Sequence, residues 1–574
     1  MKTTSIFREE RAVGSFLAAA IGDALGWPYE GRARKSQSNA HAGSTRHSAE
    51  MENWTRSGSR SQPYREPIGA GNYSDDTQLL LSTARSILLG HDWWEHFAFV
   101  ELPFWLSYER GGGGATKRAA QAWIAGKAPW ESNQHRAKYF EAGGNGVAMR
   151  ILPHLLEADS SKDACGIARE IVANGLCTHG HPRALVGALL HGMALWLSLQ
   201  QEEMLEFGAL TRAVSQGFPE WAKLTDVPTQ WRRAFSDSEF RDYRADWDKT
   251  VGESMALIQM AEDALRLGPL SAGPETLHKM GALNPKTNGS GTITAAAALF
   301  LASRYAATPL QGLQVAATSI GADTDTIASM CGSILGAVHG EEWLGHFATS
   351  VQDSRYIRKI AGSLVSTRAG SASRTEARVT KRDCDSFEDR LGTMEVGGGI
   401  RLPDGRQSVL RHVAPMFSET AKADLLIFET EDGQTLPVKR IVRRSKTPQT
   451  PTQQPPDEIL RVGIKLFVSD LALAKEFYIG RLCLPVVKEY SSGFTVAEVI
   501  SVHLTSGEAQ SDLSFHRTSI PAPTPFIRVA NIDSLAARLA AEGIVITPVY
   551  GHRSIKAFTV LDPFGNVLEF FEGL

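Results

Sequence analysis

The chain has 574 residues, which is enough for about two to four domains. Its hydrophobic fraction of 43% and charged fraction of 21% are typical of globular proteins, and its net charge of −3 excludes a globally basic protein that nucleic acid or an anionic membrane would attract. The five cysteines are scattered without CxxC spacing, which excludes a disulfide framework and predicts reduced thiols in the cytoplasm.

The first predicted element is a core helix that includes Val13–Ile21. This apolar run resembles the centre of a signal peptide, but Glu9 and Glu10 precede it. We find no apolar run of the about 18 residues that a membrane-spanning helix requires. We therefore expect no targeting segment and no membrane association.

Residues 1–365 have Ala, Leu and Gly at helical spacing, which predicts an all-helical domain. Residues Gly31–Pro67 interrupt it with a polar stretch that is typical of a mobile surface loop. We consider a lid over a nearby cleft as one hypothesis for this loop. Residues 200–250 are rich in charged residues and tryptophan, which predicts a helical insertion.

Two short acidic clusters stand at the start of apolar helices, at Ser74–Thr77 and Asp323–Thr326. Apolar residues after each cluster follow the spacing of one buried helix face. Either cluster alone is consistent with an ordinary helix N-cap, because Asp, Ser and Thr are favoured there. Two matching clusters weigh against that interpretation, and if the two helix starts meet, four carboxylates crowd one pocket.

The repulsion among four such carboxylates can be estimated. At about 5 Å and an effective dielectric of about 20, one like-charge pair costs about 3 kcal/mol, so six pairs cost about 20 kcal/mol. This exceeds the about 5–15 kcal/mol net stability of a typical domain. The groups must therefore take up protons or bind cations. Oxygen ligands favour Mg²⁺, Mn²⁺ or Ca²⁺, and four negative charges match two divalent ions.

Three glycine- or histidine-containing segments lie between the clusters, at Tyr108–Thr116, Gly143–Pro153 and Thr178–Ala184. The backbone N–H groups of a glycine-rich turn can approach a pyrophosphate closely, but such a turn can also simply join two helices. Arg110 either clamps a phosphate or pairs with a surface acid. His179 and His181 are equally consistent with structural roles.

The sequence changes character after the helical region. Residues 366–385 are predicted to be a polar linker, and residues 386–446 a small β-rich module with Asp-Gly turns. The module ends in a basic run, Lys439–Lys446, which is either a solvated face or a contact for nucleic acid or phosphate. Residues 447–458 are predicted to be a Pro-rich tether. Residues 459–574 repeat a strand–helix–strand order.

In this context the first region resembles the ADP-ribosylglycohydrolase family. The segments that carry the resemblance, in the family's order, are Gly14–Gly31, Ser74–Thr77, Tyr108–Thr116, Gly143–Pro153, Thr178–Ala184 and Gly321–Thr326. The resemblance covers about residues 10–345 and implies an all-α orthogonal bundle that hydrolyses ADP-ribose linkages. The sequence departs from the family at Thr292, where many members have an aromatic residue.

The resemblance also implies roles for individual residues. The implied ligands of two Mg²⁺ or Mn²⁺ ions are Ser74, Asp75, Asp76, Asp323, Asp325 and Thr326. Glu30 falls where some members have a catalytic or gating glutamate, and we place it with Asp75 and Asp76 in the catalytic group. The residues expected to bind ADP-ribose are Arg110, Gly111, Gly144, Asn145, Gly146, His179 and His181.

Residues 459–574 resemble the glyoxalase and bleomycin-resistance superfamily, with Asp562–Phe570 as the most specific stretch. The resemblance implies two paired βαβββ halves and allows a homodimer through this domain. Gly463 and Thr524 occupy two of the superfamily's metal-ligand positions, and Glu569 is the ligand-type residue that we find there. His516 is the nearby candidate to complete a metal site, although a lone histidine on a strand is more often structural. We expect a metal-free binding module.

Three functions follow as hypotheses. The first is a divalent-metal-dependent hydrolase that removes ADP-ribose from a macromolecule, with arginine on protein as the expected target and nucleic acid as the alternative. The second is a non-catalytic structural relative. The third is a small-molecule-binding protein that acts through its C-terminal module.

Overall fold

We describe the chain from a computed structural model. It describes residues 2–30, 50–57, 64–156, 163–201, 205–224, 226–269, 273, 275–366, 378–418, 421–443, 459–468, 486–490, 493–496, 501–506, 524–529, 531–541, 546–552, 555–561 and 567–572. The chain divides into two compact units, one made of residues 1–34 and 44–444 and the other of residues 35–43 and 445–574.

The first unit is mainly helical, as predicted. Its helices are α1 (Lys2–Glu30), α2 (Asp75–Ile87), α3 (Trp93–His96), α4 (Leu102–Trp105), α5 (Gly114–Ile124), α6 (Arg136–Phe140), α7 (Pro153–Leu156), α8 (Ala164–Leu176), α9 (Pro182–Gln200), α10 (Ala209–Trp221), α11 (Thr229–Arg232), α12 (Asp237–Arg266), α13 (Glu275–Lys279), α14 (Gly291–Arg304), α15 (Pro309–Ala317), α16 (Thr324–His339), α17 (Phe347–Ser350), α18 (Ser354–Ser366) and α19 (Lys381–Leu391).

Helices α1 and α16 pack with their backbones in direct contact. Small residues repeat every four positions on α1, and a Cβ atom on Gly22 would lie 2.3 Å from the carbonyl oxygen of Ala328. A Cβ atom on Gly26 would lie 2.3 Å from the carbonyl oxygen of Thr324. The two helices run antiparallel, so the C-terminal end of α1 lies at the N-terminal end of α16. This places Glu30 beside the second acidic cluster.

Helix α9 lies in the core of the first unit. By length and composition it could span a membrane, but 78% of that apolar window is buried inside the protein. The prediction that no apolar segment reaches this length was therefore wrong. Pro182 sits in its first turn, where a proline costs no helical hydrogen bond. Its burial is that of a core helix.

The predicted surface loop Gly31–Pro67 contains regular structure in its described part. Strand β1 (Trp54–Arg56) pairs antiparallel with β2 (Glu66–Ile68). Trp54 packs edge-on against the buried Trp27, with ring centroids 5.2 Å apart, and this contact fixes β1 against the end of α1. Residues 31–49, where a lid was one hypothesis, lie outside the described residues.

The β module forms a four-stranded antiparallel sheet of β3 (Gly399–Arg401), β4 (Gln407–Met416), β5 (Ala421–Thr430) and β6 (Thr435–Arg443). Gly405 and Gly433 have positive φ angles of 93° and 99°, as the predicted Asp-Gly turns require. The sheet lies in the same compact unit as the helices. The expected independent module is therefore packed onto the helical domain.

The predicted linker 366–385 differs from the structure at its C-terminal end. Helix α19 crosses the expected boundary, and Thr380 and Asp383 form a reciprocal capping box at its start. Phe387 on this helix contacts the rings of Phe104 and Phe428 at centroid distances of 5.8 and 6.3 Å. The sequence did not predict this helix because only one of its faces is apolar and its composition is mostly polar.

The second unit has the paired arrangement that the sequence predicted. Its strands are β7 (Ile459–Val468), β8 (Val486–Tyr490), β9 (Gly493–Val496), β10 (Ser501–Ser506), β11 (Thr524–Val529), β12 (Tyr550–His552), β13 (Ile555–Leu561) and β14 (Val567–Glu572), and its described helix is α20 (Ile532–Ala541). The strand order is β12-β13-β14-β11-β7-β10-β9-β8. Each half supplies four adjacent strands, and β7 and β11 join the halves antiparallel. The predicted tether 447–458 lies outside the described residues.

Candidate active site

The first acidic cluster forms the N-terminal turn of α2. Ser74 is its N-cap, and its side-chain oxygen accepts a hydrogen bond from the backbone N–H of Asp76 at 3.3 Å. The fully buried Asp23 of α1 accepts hydrogen bonds from the backbone N–H of Ser74 at 2.9 Å and from the hydroxyl of Thr77 at 2.6 Å. Asp23 therefore fixes the turn that carries Asp75 and Asp76.

The second acidic cluster forms the N-terminal turn of α16, with Asp323 at the N-cap position. Glu30, Asp323 and Asp325 each offer a carboxylate oxygen, and these three atoms lie within 4.8 Å of one another. Thr326 donates a hydrogen bond to Oδ1 of Asp76 at 3.4 Å. The two predicted clusters thus meet, and Glu30 joins them.

The electrostatics of the site confirm that the carboxylates are crowded. Burial raises the pKa of Asp75 well above its ordinary value, and the charges of Glu109 and Asp23 raise it further. The pKa values of Asp76 and Asp325 are also raised, first by burial and then by neighbouring carboxylates. At Asp75 the charge of Lys117 opposes the rise, but burial and the neighbouring carboxylates outweigh it.

The donor set fits a divalent cation. Oδ2 of Asp76 is buried and has no hydrogen-bond partner within the described part of the chain. A buried carboxylate oxygen without a partner is costly unless a proton or a cation satisfies it. Carboxylate and hydroxyl oxygens are the ligands that Mg²⁺ and Mn²⁺ prefer. The acidic cluster therefore has the ligand chemistry that the sequence predicted, and it includes Glu30, which the sequence placed in the catalytic group.

Asn145 links the acidic clusters to a neighbouring groove. Its side-chain amide donates to Oδ2 of Asp323 at 2.9 Å, and its backbone N–H donates to the carbonyl oxygen of Gly289 at 3.1 Å. The groove has a volume of about 630 Å³, and its lining includes Gly144, His181, Lys286, Gly289 and Thr292. It is large enough for a nucleotide-sized ligand.

The two predicted histidines have different environments. Burial, followed by the charge of Arg150, lowers the pKa of His179 to about 3, so its ring is neutral at physiological pH. His179 is hydrogen-bonded to Thr178 at 2.7 Å and packs beside Gly146. His181 is the N-cap of α9, where its Nδ1 accepts the backbone N–H of Arg183 at 3.0 Å. Neither histidine ring therefore provides a positive charge that could bind a phosphate.

The predicted loop residues Arg110 and Gly111 separate in the structure. Gly111 has a φ of +91°, and a Cβ atom there would lie 3.0 Å from Oδ1 of Asp75. Arg110 instead points into the protein, where it donates to Glu66 at 2.8 Å and to Asn72 at 3.0 Å. Two guanidinium nitrogens thus donate to Glu66 and Asn72, which favours the alternative that Arg110 pairs with an acid, and its role in substrate binding stays a prediction.

Sequence reasoning missed two carboxylates of the site, Asp23 and Glu109. Asp23 is an isolated acid on an apolar helix, and a charge in such a position is rarely buried without a partner. That signal could have identified it. Glu109 adjoins the predicted glycine-rich loop, and nothing in its local sequence distinguishes it from a surface acid.

The second unit offers a weaker case for a metal. Glu569 on β14 pairs in register with Phe526 on β11, which in turn pairs with Gly463. Its Oε1 accepts a hydrogen bond from the hydroxyl of Tyr550 at 2.6 Å. His516 lies outside the described residues.

Comparison with known families gives two matches. A family model described as ADP-ribosylglycohydrolase matches residues 4–374. A second model, described as Glyoxalase/Bleomycin resistance protein/Dioxygenase superfamily, matches residues 459–570. No curated protein matches the sequence.

Solved structures resemble each part of the chain. An ADP-ribosylglycohydrolase-related protein complex is 19% identical, with 63% of this chain and 99% of that chain covered and a TM-score of 0.39. A glyoxalase/bleomycin resistance protein/dioxygenase superfamily member from Vibrio splendidus 12B01 is 20% identical, with 20% and 97% covered and a TM-score of 0.16. A homoprotocatechuate 2,3-dioxygenase variant from Brevibacterium fuscum is 25% identical, with 21% and 34% covered and a TM-score of 0.16.

Proposed function

Because the chain belongs to the ADP-ribosylglycohydrolase family, whose members hydrolyse ADP-ribose linkages, we propose that it is a divalent-metal-dependent hydrolase that releases ADP-ribose from a modified macromolecule. The proposed linkage is the N-glycosidic bond to arginine on a protein. The observation that carries the proposal is the meeting of Glu30, Asp323 and Asp325, whose carboxylate oxygens lie within 4.8 Å of one another. The partnerless oxygen of Asp76 supports it.

The chemistry of the reaction indicates what the cations and their ligands would contribute. Hydrolysis at the anomeric carbon passes through an oxocarbenium-like state, which requires a positioned sugar and a positioned water. Divalent cations, when bound, would supply ribose chelation and a water of lowered pKa. The expected ligands of these cations are Ser74, Asp75, Asp76, Asp323, Asp325 and Thr326.

The same arrangement gives the remaining residues a place around the substrate. Asn145 holds Asp323 through its amide, and Gly111 has no side chain that would crowd Asp75, since a Cβ atom there would lie 3.0 Å from Oδ1 of Asp75. Gly144 and His181 line the adjoining groove, where the rest of ADP-ribose would lie. Gly146 packs beside the neutral ring of His179, and we propose both as substrate contacts.

The primary experiment measures release of free ADP-ribose from an arginine-modified protein. Wild type is expected to release it with Mg²⁺ or Mn²⁺, and EDTA or Asp323→Ala is expected to abolish release. Asp248→Ala, an exposed acid on α12, is the matched control and should behave as wild type. Parallel substrates modified on serine, DNA and RNA identify the linkage. Release that is insensitive to EDTA, or no release from any substrate, would contradict the proposal.

Glu30 is the exposed member of the cluster and is our proposed general acid/base or gate. Glu30→Gln is expected to lower kcat by about 100-fold, as loss of a positioned proton-transfer group does. Its Mn²⁺ affinity, measured by titration calorimetry, should change little. Unchanged kcat would remove Glu30 from the mechanism, and loss of Mn²⁺ affinity would make it a ligand instead.

Nucleic acid as the modified target has less support. In the predicted basic run, Arg440 donates to Asp424 at 2.8 Å and to the carbonyl oxygen of Leu391 at 2.7 Å. Lys439 is also engaged inside the protein, as described below. Two of the charges that raised this alternative are therefore already paired within the protein.

The C-terminal domain is proposed to be a metal-free small-molecule-binding module. The hydrogen bond from Tyr550 to Glu569 occupies the ligand-type carboxylate that we identified there. An Asp76→Asn/Asp325→Asn double variant of the full chain should therefore retain no tight Mn²⁺ site. A remaining 1:1 site in calorimetry would place a metal in the C-terminal domain.

A further inference from the structure

The β module contacts the segment that leads into the first acidic cluster. The backbone N–H of Arg65, in the segment before α2, donates to the carbonyl oxygen of Phe417 at 2.8 Å. Next to it, the ring of Tyr64 packs into a small cluster with Met416 and Leu425 of the sheet. The sheet is therefore attached to the chain that enters the first acidic cluster.

Lys439 of β6 makes the closest polar contact between the module and the site. Its Nζ donates to the backbone carbonyl oxygen of Glu109 at 2.6 Å and lies 3.4 Å from a carboxylate oxygen of Glu66. The lysine side chain is 10% exposed and Glu66 is 1% exposed. A buried ammonium is costly unless it is paired and hydrogen-bonded, so these contacts define its position.

The anchored residue, Glu109, orders the glycine-rich loop that follows it. Its carboxylate accepts a hydrogen bond from the backbone N–H of Gly112 at 3.1 Å and from Lys117 at 3.0 Å. Gly111 lies between Glu109 and Gly112 in the chain. Its backbone approaches Asp75 so closely that a Cβ atom on Gly111 would lie 3.0 Å from the Asp75 carboxylate. A shift of Glu109 would therefore move the loop relative to Asp75.

We propose that Lys439 is a positioning residue, through which the β module holds the glycine-rich loop, Glu109–Gly113, beside the acidic clusters. This inference rests on the proposed function for its effect on catalysis. The structural part, a tie between the module and the loop, holds whatever linkage is cleaved. The β module is then a component of the catalytic unit.

The first test measures amide hydrogen exchange in the full chain. Lys439→Met removes the ammonium but keeps the aliphatic stem, and Lys422→Met, at an exposed position on β5, is the matched control. In Lys439→Met, the amide exchange rate of peptides that cover residues 108–117 should rise at least about fivefold. Local opening of the loop then costs less free energy, because the contact with Lys439 no longer has to be broken. Lys422→Met should match wild type. Unchanged exchange in residues 108–117, or an equal rise throughout the first unit, would overturn the inference.

The second test is kinetic. Lys439→Met is expected to raise KM for the ADP-ribosylated substrate about tenfold while kcat changes less than about twofold, because the loop is expected to contact bound substrate rather than the reacting atoms. A loss of kcat with unchanged KM would contradict the inference. Lys439→Gln, which keeps a donor without the charge, should give an intermediate KM and replaces Lys439→Met if that variant fails to fold.

The two tests separate this inference from the proposed function. If wild type releases no ADP-ribose from any substrate, the proposed function fails, and the exchange experiment still decides whether Lys439 holds the loop. If wild type is active and both Lys439 variants match it in exchange and KM, only the inference about Lys439 fails.

Discussion

Asp23 illustrates at the residue scale how a side chain outside the predicted motifs can set a site's geometry. It receives hydrogen bonds from the backbone N–H groups of Ser74 and Thr77 and from the Thr77 hydroxyl. Burial raises the pKa of Asp23, while the hydrogen bonds from Thr77 and Ser74 oppose the rise. The start of α2 is therefore held from outside its own helix.

Replacing this carboxylate should weaken the protein measurably. In Asp23→Asn the amide can accept only part of these hydrogen bonds, and its NH₂ group faces donors. We expect a loss of about 1–3 kcal/mol in the free energy of unfolding, measured in urea. Asp248→Asn on the surface of α12 should change it by less than about 0.5 kcal/mol. Equal urea midpoints for Asp23→Asn and wild type would show that these hydrogen bonds add no stability.

Individual residues were predictable to different degrees. Asp75 and Asp323 stand out because each belongs to a pair of carboxylates with neighbouring hydroxyls at a helix start, and the structure brings the two helix starts together. Arg110 was ambiguous in sequence because its partner, Glu66, lies 44 positions away. Such long-range pairings have no local signature, so a buried ion pair and a substrate clamp look alike.

At the element scale, the α1–α16 contact is what assembles the site. A Cβ atom on Gly332 would lie 2.3 Å from the carbonyl oxygen of Ala18, and one on Gly336 would lie 2.3 Å from that of Gly14. Small residues therefore face each other along both helices. Larger side chains would push the helices apart and move Glu30 away from Asp325.

Adding a methyl group at the α1–α16 contact should lower the stability of the protein. In Gly22→Ala the added carbon would lie 2.3 Å from the backbone of Ala328, so the helices must separate. We expect a loss of about 1–3 kcal/mol in the free energy of unfolding. Gly252→Ala on α12 meets open space and should instead stabilise the protein by about 0.5–1 kcal/mol. Thermal or urea unfolding of both variants distinguishes packing from helix propensity.

Elements with a strong periodic pattern were predictable, and those defined by tertiary contact were not. Helix α16 and the Asp-Gly hairpins follow directly from apolar spacing and turn residues. Helix α19 was assigned to a linker and to the β module because its sequence is mostly polar. Strand β1 was assigned to a loop because its packing partner, Trp27, belongs to a different element.

At the scale of the whole molecule, the acidic site couples stability to pH and to divalent cations. Burial and then neighbouring charges raise the pKa values of Asp75, Asp76 and Asp325 in the folded state. The folded chain then binds more protons than the unfolded chain above the ordinary pKa of about 4. Its stability without cations therefore falls as pH rises from about 4 through the raised pKa values.

Bound divalent cations should restore the stability that is lost as pH rises, and the gain should be largest at high pH. At a Mg²⁺ concentration about 100-fold above Kd, binding adds about 2.7 kcal/mol at pH 8. That corresponds to a rise in Tm of about 2–4 °C. The rise should be smaller at pH 5, and Asp325→Asn should abolish it at both pH values. An equal rise in Asp325→Asn would place the stabilising cation elsewhere.

The pairing of α1 with α16 also has a consequence for biosynthesis. The first helix emerges from the ribosome long before its partner, because residues 22 and 328 are separated by most of the domain. Contacts of such high sequence separation form late. Helix α1 therefore cannot complete its glycine-lined contact until α16 has been synthesised, and Glu30 cannot join Asp323 and Asp325 before that point.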